Sequence, residues 1–74
     1  MMPLTLVSVG EEVQIVGVRG GQSFRKRLAD LGLNTGMNLR VIKMDPDCPV
    51  IIAVKDSRLA LGRGMAHKVM VELN

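Results

Sequence analysis

The 74-residue chain contains no tryptophan or tyrosine, and one residue each of phenylalanine (Phe24), cysteine (Cys48) and histidine (His67). Each scarcity excludes something. With one aromatic ring there is almost no surface on which nucleobases stack, so an RNA-binding small barrel is a poor reading and no nucleic-acid partner is expected. One cysteine closes no internal disulfide, which agrees with a reducing compartment. Structural zinc usually needs four Cys or His ligands, and Cys48 and His67 fall on different elements with no second Cys-x-x-Cys or His-x-x-His pair. No metal site is therefore expected within one copy, although ligands shared between two copies remain open. A single histidine builds no Ser/His/Asp or Cys/His set, and the acids fall in turns or at exposed positions, so no enzyme and no cofactor is expected.

Long apolar runs are missing too. The longest is Val50 to Val54, far short of the ~20 residues that cross a bilayer. The first ten residues carry no Lys or Arg and no adequate apolar core, so no signal peptide is expected and the compartment is expected to be the cytoplasm. Charge of one sign is also modest. Ten basic against seven acidic side chains leave +3, a mild excess compared with proteins that neutralise nucleic-acid phosphate, which helps solubility and identifies no partner by itself.

Gly17, Gly20 and Gly21 form G-x-x-G-G, which lacks the Lys-Ser/Thr of a phosphate loop and the spacing of a dinucleotide fold. Turn punctuation around a strand explains them. Met37, Met44, Met65 and Met70 follow no repeating spacing, so core filling and adaptable contact surface explain them better than soft-metal ligation.

What is present is a pattern of short strands and one helix, in a chain sized for one domain over residues 1–74. A chain this short buries only about 60% of its unfolded surface. Val13, Ile15 and Val18 mark a first strand, in which the extra apolar Val16 suggests cover on both faces. Phe24, Leu28 and Leu31 recur at helical spacing over residues 22–32, with Ser23 placed to cap the start and Gly32 to end the helix. From Gly36 the period becomes two, with Met37, Leu39 and Val41 on one face. Val50, Ile52 and Val54, then Leu59-Ala60-Leu61, follow. After a short turn through Met65 and Ala66 comes a last strand, in which Val69, Val71 and Leu73 alternate with Met70 and Glu72. Five strands and one short helix after the first predict a mainly β, closed or nearly closed small barrel.

The succession Val9-Gly10-Glu11, Val13-Gln14-Ile15-Val16, Arg27-Leu28-Ala29-Asp30-Leu31-Gly32-Leu33-Asn34-Thr35-Gly36, Pro49-Val50-Ile51-Ile52 and Leu59-Ala60-Leu61 resembles the FeoA family from end to end. Its most specific piece is the stretch from Arg27 to Gly36, similar to the family's RLxxLGLxPG core. Thr35 stands where that core has proline, and Asp45-Pro46-Asp47-Cys48-Pro49 replaces the family's GDP-containing loop. The resemblance implies a five-stranded SH3-like barrel with one short helix, a cytoplasmic location and partnership with FeoB, a membrane GTPase that imports ferrous iron. It thereby implies a place at the inner face of the membrane through FeoB, without insertion. Weak homo-oligomerisation is allowed, not required. The competing reading is a regulatory interaction domain similar to that of DtxR-type iron-dependent repressors, against which stands the lack of a DNA-reading helix pair.

Arg25, Lys26 and Arg27 are consecutive on the helix and fan around it at ~100° per residue. A solvated face is the plain explanation of such a run. Joined with the turn that follows, it also makes a docking patch for an acidic partner. The contact candidates are Arg25, Arg27, Asn34 and Met37, on a scaffold of Leu28, Leu31, Gly32 and Gly36.

Overall fold

The structure, a computed structural model, describes residues 1–74. A two-residue strand β1 (Met2–Pro3) leads into a single 3-10 turn at Leu4–Leu6. Then come β2 (Glu12–Val18), α1 (Gln22–Asp30), β3 (Asn38–Lys43), β4 (Val50–Val54), β5 (Ser57–Leu61), α2 (Arg63–Lys68) and β6 (Val69–Leu73). All neighbours pair antiparallel in the order β1-β6-β2-β3-β4-β5. The sheet is the mainly β, SH3-like one expected, but it has six strands and is not closed: β1 and β5 are its two edges.

The sixth strand is β1, which pairs Met2 with Val71 and Pro3 with Met70. Two residues are too few to show a period, so the pairing has no sequence signature. The supposed turn through Met65 and Ala66 is the helix α2, whose Ala66 is fully buried and donates its N–H to the Gly62 carbonyl at 2.9 Å. Six residues with Gly64 among them carry no legible helical stripe.

The strand periods otherwise translate directly into burial. Val13 and Ile15, Leu39 and Val41, Val50, Ile52 and Val54, and Val69 and Val71 all point into one core of sixteen apolar residues with no buried polar side chain. Leu73 breaks the series: at the end of β6 it is exposed. Val16 is apolar out of phase for a reason the alternation hides. Ile15 pairs with Val71 and Gly17 with Met70, so Val16 is the extra residue of a β-bulge, half-buried rather than covered on both faces.

Candidate interaction surface

The segment from Gly20 to Met37 folds as a helix, a stop and a turn bolted to β2. Gly20 has φ +132°, and a side chain there would press within 3.3 Å of Phe24 Cβ, so only glycine lets the chain enter α1 so close to that ring. Ser23 is not the cap: Gly21 holds that position with no side-chain bond, and Ser23 lies inside the helix. Phe24 and Leu28 form the buried face, and Lys68 Nζ lies 5.3 Å from the Phe24 ring centroid, within cation–π range.

Leu31, expected to complete the buried face, is 41% exposed. The helical period ends before it reaches that residue, because Leu31 is the C-cap. Gly32, at φ +87°, donates to the Ala29 carbonyl at 2.9 Å, and Leu33 donates to the Leu28 carbonyl at 2.9 Å. This is the Schellman arrangement, and the residue past the glycine, Leu33, and the one three before the cap, Leu28, are both apolar and buried, as is usual for it. Leu33, 3% exposed, therefore takes the inward place.

Asn34 to Met37 form a tight turn. Met37 donates its N–H to the Asn34 carbonyl at 3.2 Å, and Gly36 has φ +94°, the pattern of a type II turn with glycine in third place. The turn is fastened to β2 by Gly36 N–H to the Ile15 carbonyl at 2.7 Å and Ile15 N–H to the Met37 carbonyl at 2.8 Å. The Asn34 N–H also points at Met37 Sδ, 3.3 Å away.

Of the four contact candidates, the fold brings Arg25 and Asn34 together. Both line a groove of about 310 Å³ whose apolar walls are Ile15, Val18, Leu28 and Leu33. Met37 is half-buried on the far side of the turn, beside Leu31 and Gly32. Arg27 is exposed and lines neither hollow, as follows from its two-residue separation from Arg25, a rotation of ~200°. Ile15, Val18, Leu33 and Thr35 are groove residues that sequence reasoning missed. Their strand and turn positions carried only a folding signal.

Arg19 and Lys68 extend the basic character beside α1, since Arg19 donates its N–H to the Lys68 carbonyl at 2.7 Å. The two ion pairs of the molecule, Arg40 with Glu12 and Lys43 with Asp45, lie elsewhere. Cys48 is exposed, and His67 Nδ1 lies 3.2 Å from Thr5 Oγ1. No three His, Cys, Asp or Glu side chains cluster as metal ligands would, and no helix is long and apolar enough to cross a membrane.

A small antiparallel sheet wrapped on one core, with a helix after its first long strand, defines an SH3-like β protein. The chain belongs to the FeoA family, whose FeoA domain model matches residues 2–73. It is 43% identical over 72 residues to a Methanocaldococcus jannaschii protein assigned as Fe(2+) transport protein A, covering 97% of this chain and 87% of that one. It is also 34% identical over 73 residues to a Porphyromonas gingivalis fusion of Fe(2+) transport protein A with Fe(2+) transporter FeoB. That match covers 97% of this chain and 9% of the fusion. A crystal structure of an iron uptake regulatory protein, FeoA, superposes with a TM-score of 0.88 at 36% identity, over 95% of this chain and 93% of the other. The metal-dependent transcriptional regulator MtsR is similar in fold alone: TM-score 0.87 at 15% identity, over 99% of this chain and 36% of the regulator.

Proposed function

We propose that this protein is a non-catalytic accessory of ferrous-iron uptake that binds the cytoplasmic part of FeoB and thereby alters transport or its GTPase cycle. The observation that carries this reading is the Porphyromonas gingivalis relative, in which a segment 34% identical to this chain is joined covalently to FeoB. Fusion makes an encounter intramolecular, which raises the effective concentration of two modules that work together.

The groove under α1 is a suitable contact. It offers an apolar floor from Ile15, Leu28 and Leu33, a cation from Arg25 and a polar rim from Asn34 and Thr35, the mixture of apolar centre and polar edge typical of protein interfaces. Arg27 and Met37 flank it on the outer side of the helix and the far side of the turn. The competing reading, a regulatory domain of the kind carried by iron-dependent repressors, draws on the fold likeness to MtsR.

Pull-down of the purified cytoplasmic domain of FeoB by this protein, in the apo, GDP-bound and GTP-analogue-bound states, separates the two. Saturable one-to-one binding in at least one state supports the FeoB reading. No binding in any state, with both proteins folded, overturns it.

A further inference from the structure

The sheet stops at β5, and that edge is bare. β5 pairs with β4 alone, and no backbone bond from a turn, loop or cap reaches Ser57 to Leu61. Val54 and Ser57 flank the two-residue loop Lys55-Asp56. In such a hairpin the flanking pair exchanges hydrogen bonds, and the roles alternate from there. Ser57, Leu59 and Leu61 therefore spend their N–H and C=O groups on β4, while those of Arg58 and Ala60 face outward. The opposite edge offers far less, because β1 is two residues long and one of them is Pro3, which has no N–H.

Beside the β5 edge, on the core side of the sheet, is a recess of about 270 Å³ walled by Leu31, Gly32, Met37, Val54, Lys55, Ser57 and Leu59. Leu31 is 41% exposed there, and Leu59 and Met37 are half-buried against the core. On the other face of β5, Arg58 and Ala60 are exposed. Lys55, Asp56 and Arg58 take part in neither ion pair of the molecule; Asp56 offsets Lys55 in the loop, and Arg58 is the one charged side chain of β5 itself. A strand laid against β5 alternates its own side chains in the same way. One of them falls beside Leu59 over the recess, and its two neighbours fall on the other face, one beside Arg58 and one beside Ala60.

We propose that β5 is the receiving edge for an extended, acidic segment of a partner protein. It adds to the sheet as a seventh strand, seats one aliphatic side chain in the recess and places a carboxylate against Arg58. Main-chain pairing supplies the attachment, and the recess and Arg58 select the sequence. Charge decides the occupant. A second copy paired antiparallel about Leu59 would set each Arg58 opposite an uncharged Ala60, and one paired about Arg58 would directly oppose the two cations, which is destabilising. An acidic segment neutralises Arg58. This edge is separate from the groove under α1, and the inference stands whether or not FeoB is the partner.

The test uses the full-length, ¹⁵N-labelled protein and a blocked heptapeptide that alternates Glu with Val and Leu. Two control peptides accompany it. One has Lys in place of Glu, and the other carries N-methyl groups on the alternate amides that would face β5. In the free protein the Arg58 and Ala60 amides should exchange rapidly. The acidic peptide should slow both by about tenfold or more, as new ladder hydrogen bonds do, and shift the Leu31, Met37 and Leu59 resonances. The N-methylated peptide should do neither. Arg58→Glu should lose the acidic peptide and accept the Lys peptide, and Ala60→Pro, which removes an outward donor and no β4 bond, should lose both. Equal binding of the N-methylated peptide would overturn the proposal, as would shifts confined to the α1 groove or no shift at millimolar peptide. Arg58 and Ala60 amides already protected in the free protein, in proportion to its concentration, would assign the edge to a second copy and overturn it equally.

Discussion

The Leu33 amide donates to the Leu28 carbonyl at 2.9 Å, and through that one bond the chain leaves α1 and re-enters the core with Leu33 where another helical turn would have gone. The residue between cap and return, Gly32, sits at φ +87° with nothing within 4 Å of the place its Cβ would occupy. Its requirement for glycine is thus conformational, not steric.

Gly32→Ala should therefore destabilise the protein by roughly 1–2 kcal/mol, the cost of a left-handed residue that bears a side chain. Gly64 lies inside α2 with an ordinary φ and open space around it, so Gly64→Ala should stabilise by about 0.5–1 kcal/mol. Urea denaturation of both variants checks the pair. A Gly32→Ala variant no less stable than the parent would show that the helix stop is not held by Gly32.

Leu28 and Leu31, alike in sequence spacing, should behave unlike one another. Leu28 is 2% exposed and Leu31 41%. Leu28→Ala should cost about 2–5 kcal/mol through lost burial and the cavity left behind, whereas Leu31→Ala should stay within about 0.5 kcal/mol. Thermal and urea unfolding of the two variants decide the matter, and similar losses for both would place Leu31 in the core.

Thr35 occupies the second place of the type II turn, a position where proline's fixed φ fits. Its N–H makes no backbone hydrogen bond. Thr35→Pro should accordingly raise stability by about 0.4–1 kcal/mol, chiefly by restricting the unfolded chain. A fall in the denaturation midpoint would mean that the turn has another geometry.

Arg25 and Arg27 separate the groove from the helix at large. If the FeoB reading holds, Arg25→Glu should slow association with the cytoplasmic domain and reduce its salt dependence, because steering charges act mainly on the on-rate. Arg27→Glu should do so less, since Arg27 lies outside the groove. Stability should move by no more than about 0.5 kcal/mol in either variant. Biolayer interferometry at several salt concentrations measures both effects, and unchanged rates for Arg25→Glu would move the docking face elsewhere.

Local chemistry was enough to read several features from the sequence alone. The period-two runs at Leu39-Val41, Val50-Ile52-Val54 and Val69-Val71 name their own buried faces, since side chains alternate on any pleated strand. Gly32 and Gly36 announce a helix stop and a turn, because few other residues take positive φ without strain. Even the family was legible, in the stretch from Arg27 to Gly36.

Tertiary structure alone decided the rest. β1 exists because β6 lies beside Met2 and Pro3, and α2 because Ala66 has a core to enter. Neither short element carries a period long enough to see or a stability of its own. Val16 reads as a second buried face until the pairing partner reveals a bulge. Arg25 and Asn34 share a groove only because β2 supplies its Ile15 and Val18 wall, and the outward backbone of Arg58 and Ala60 is unpaired only because the sheet ends at β5. Sequence periodicity reports which way a side chain faces within its own element. Which elements become neighbours, and which edge is left without one, is settled by burying the whole apolar set at once.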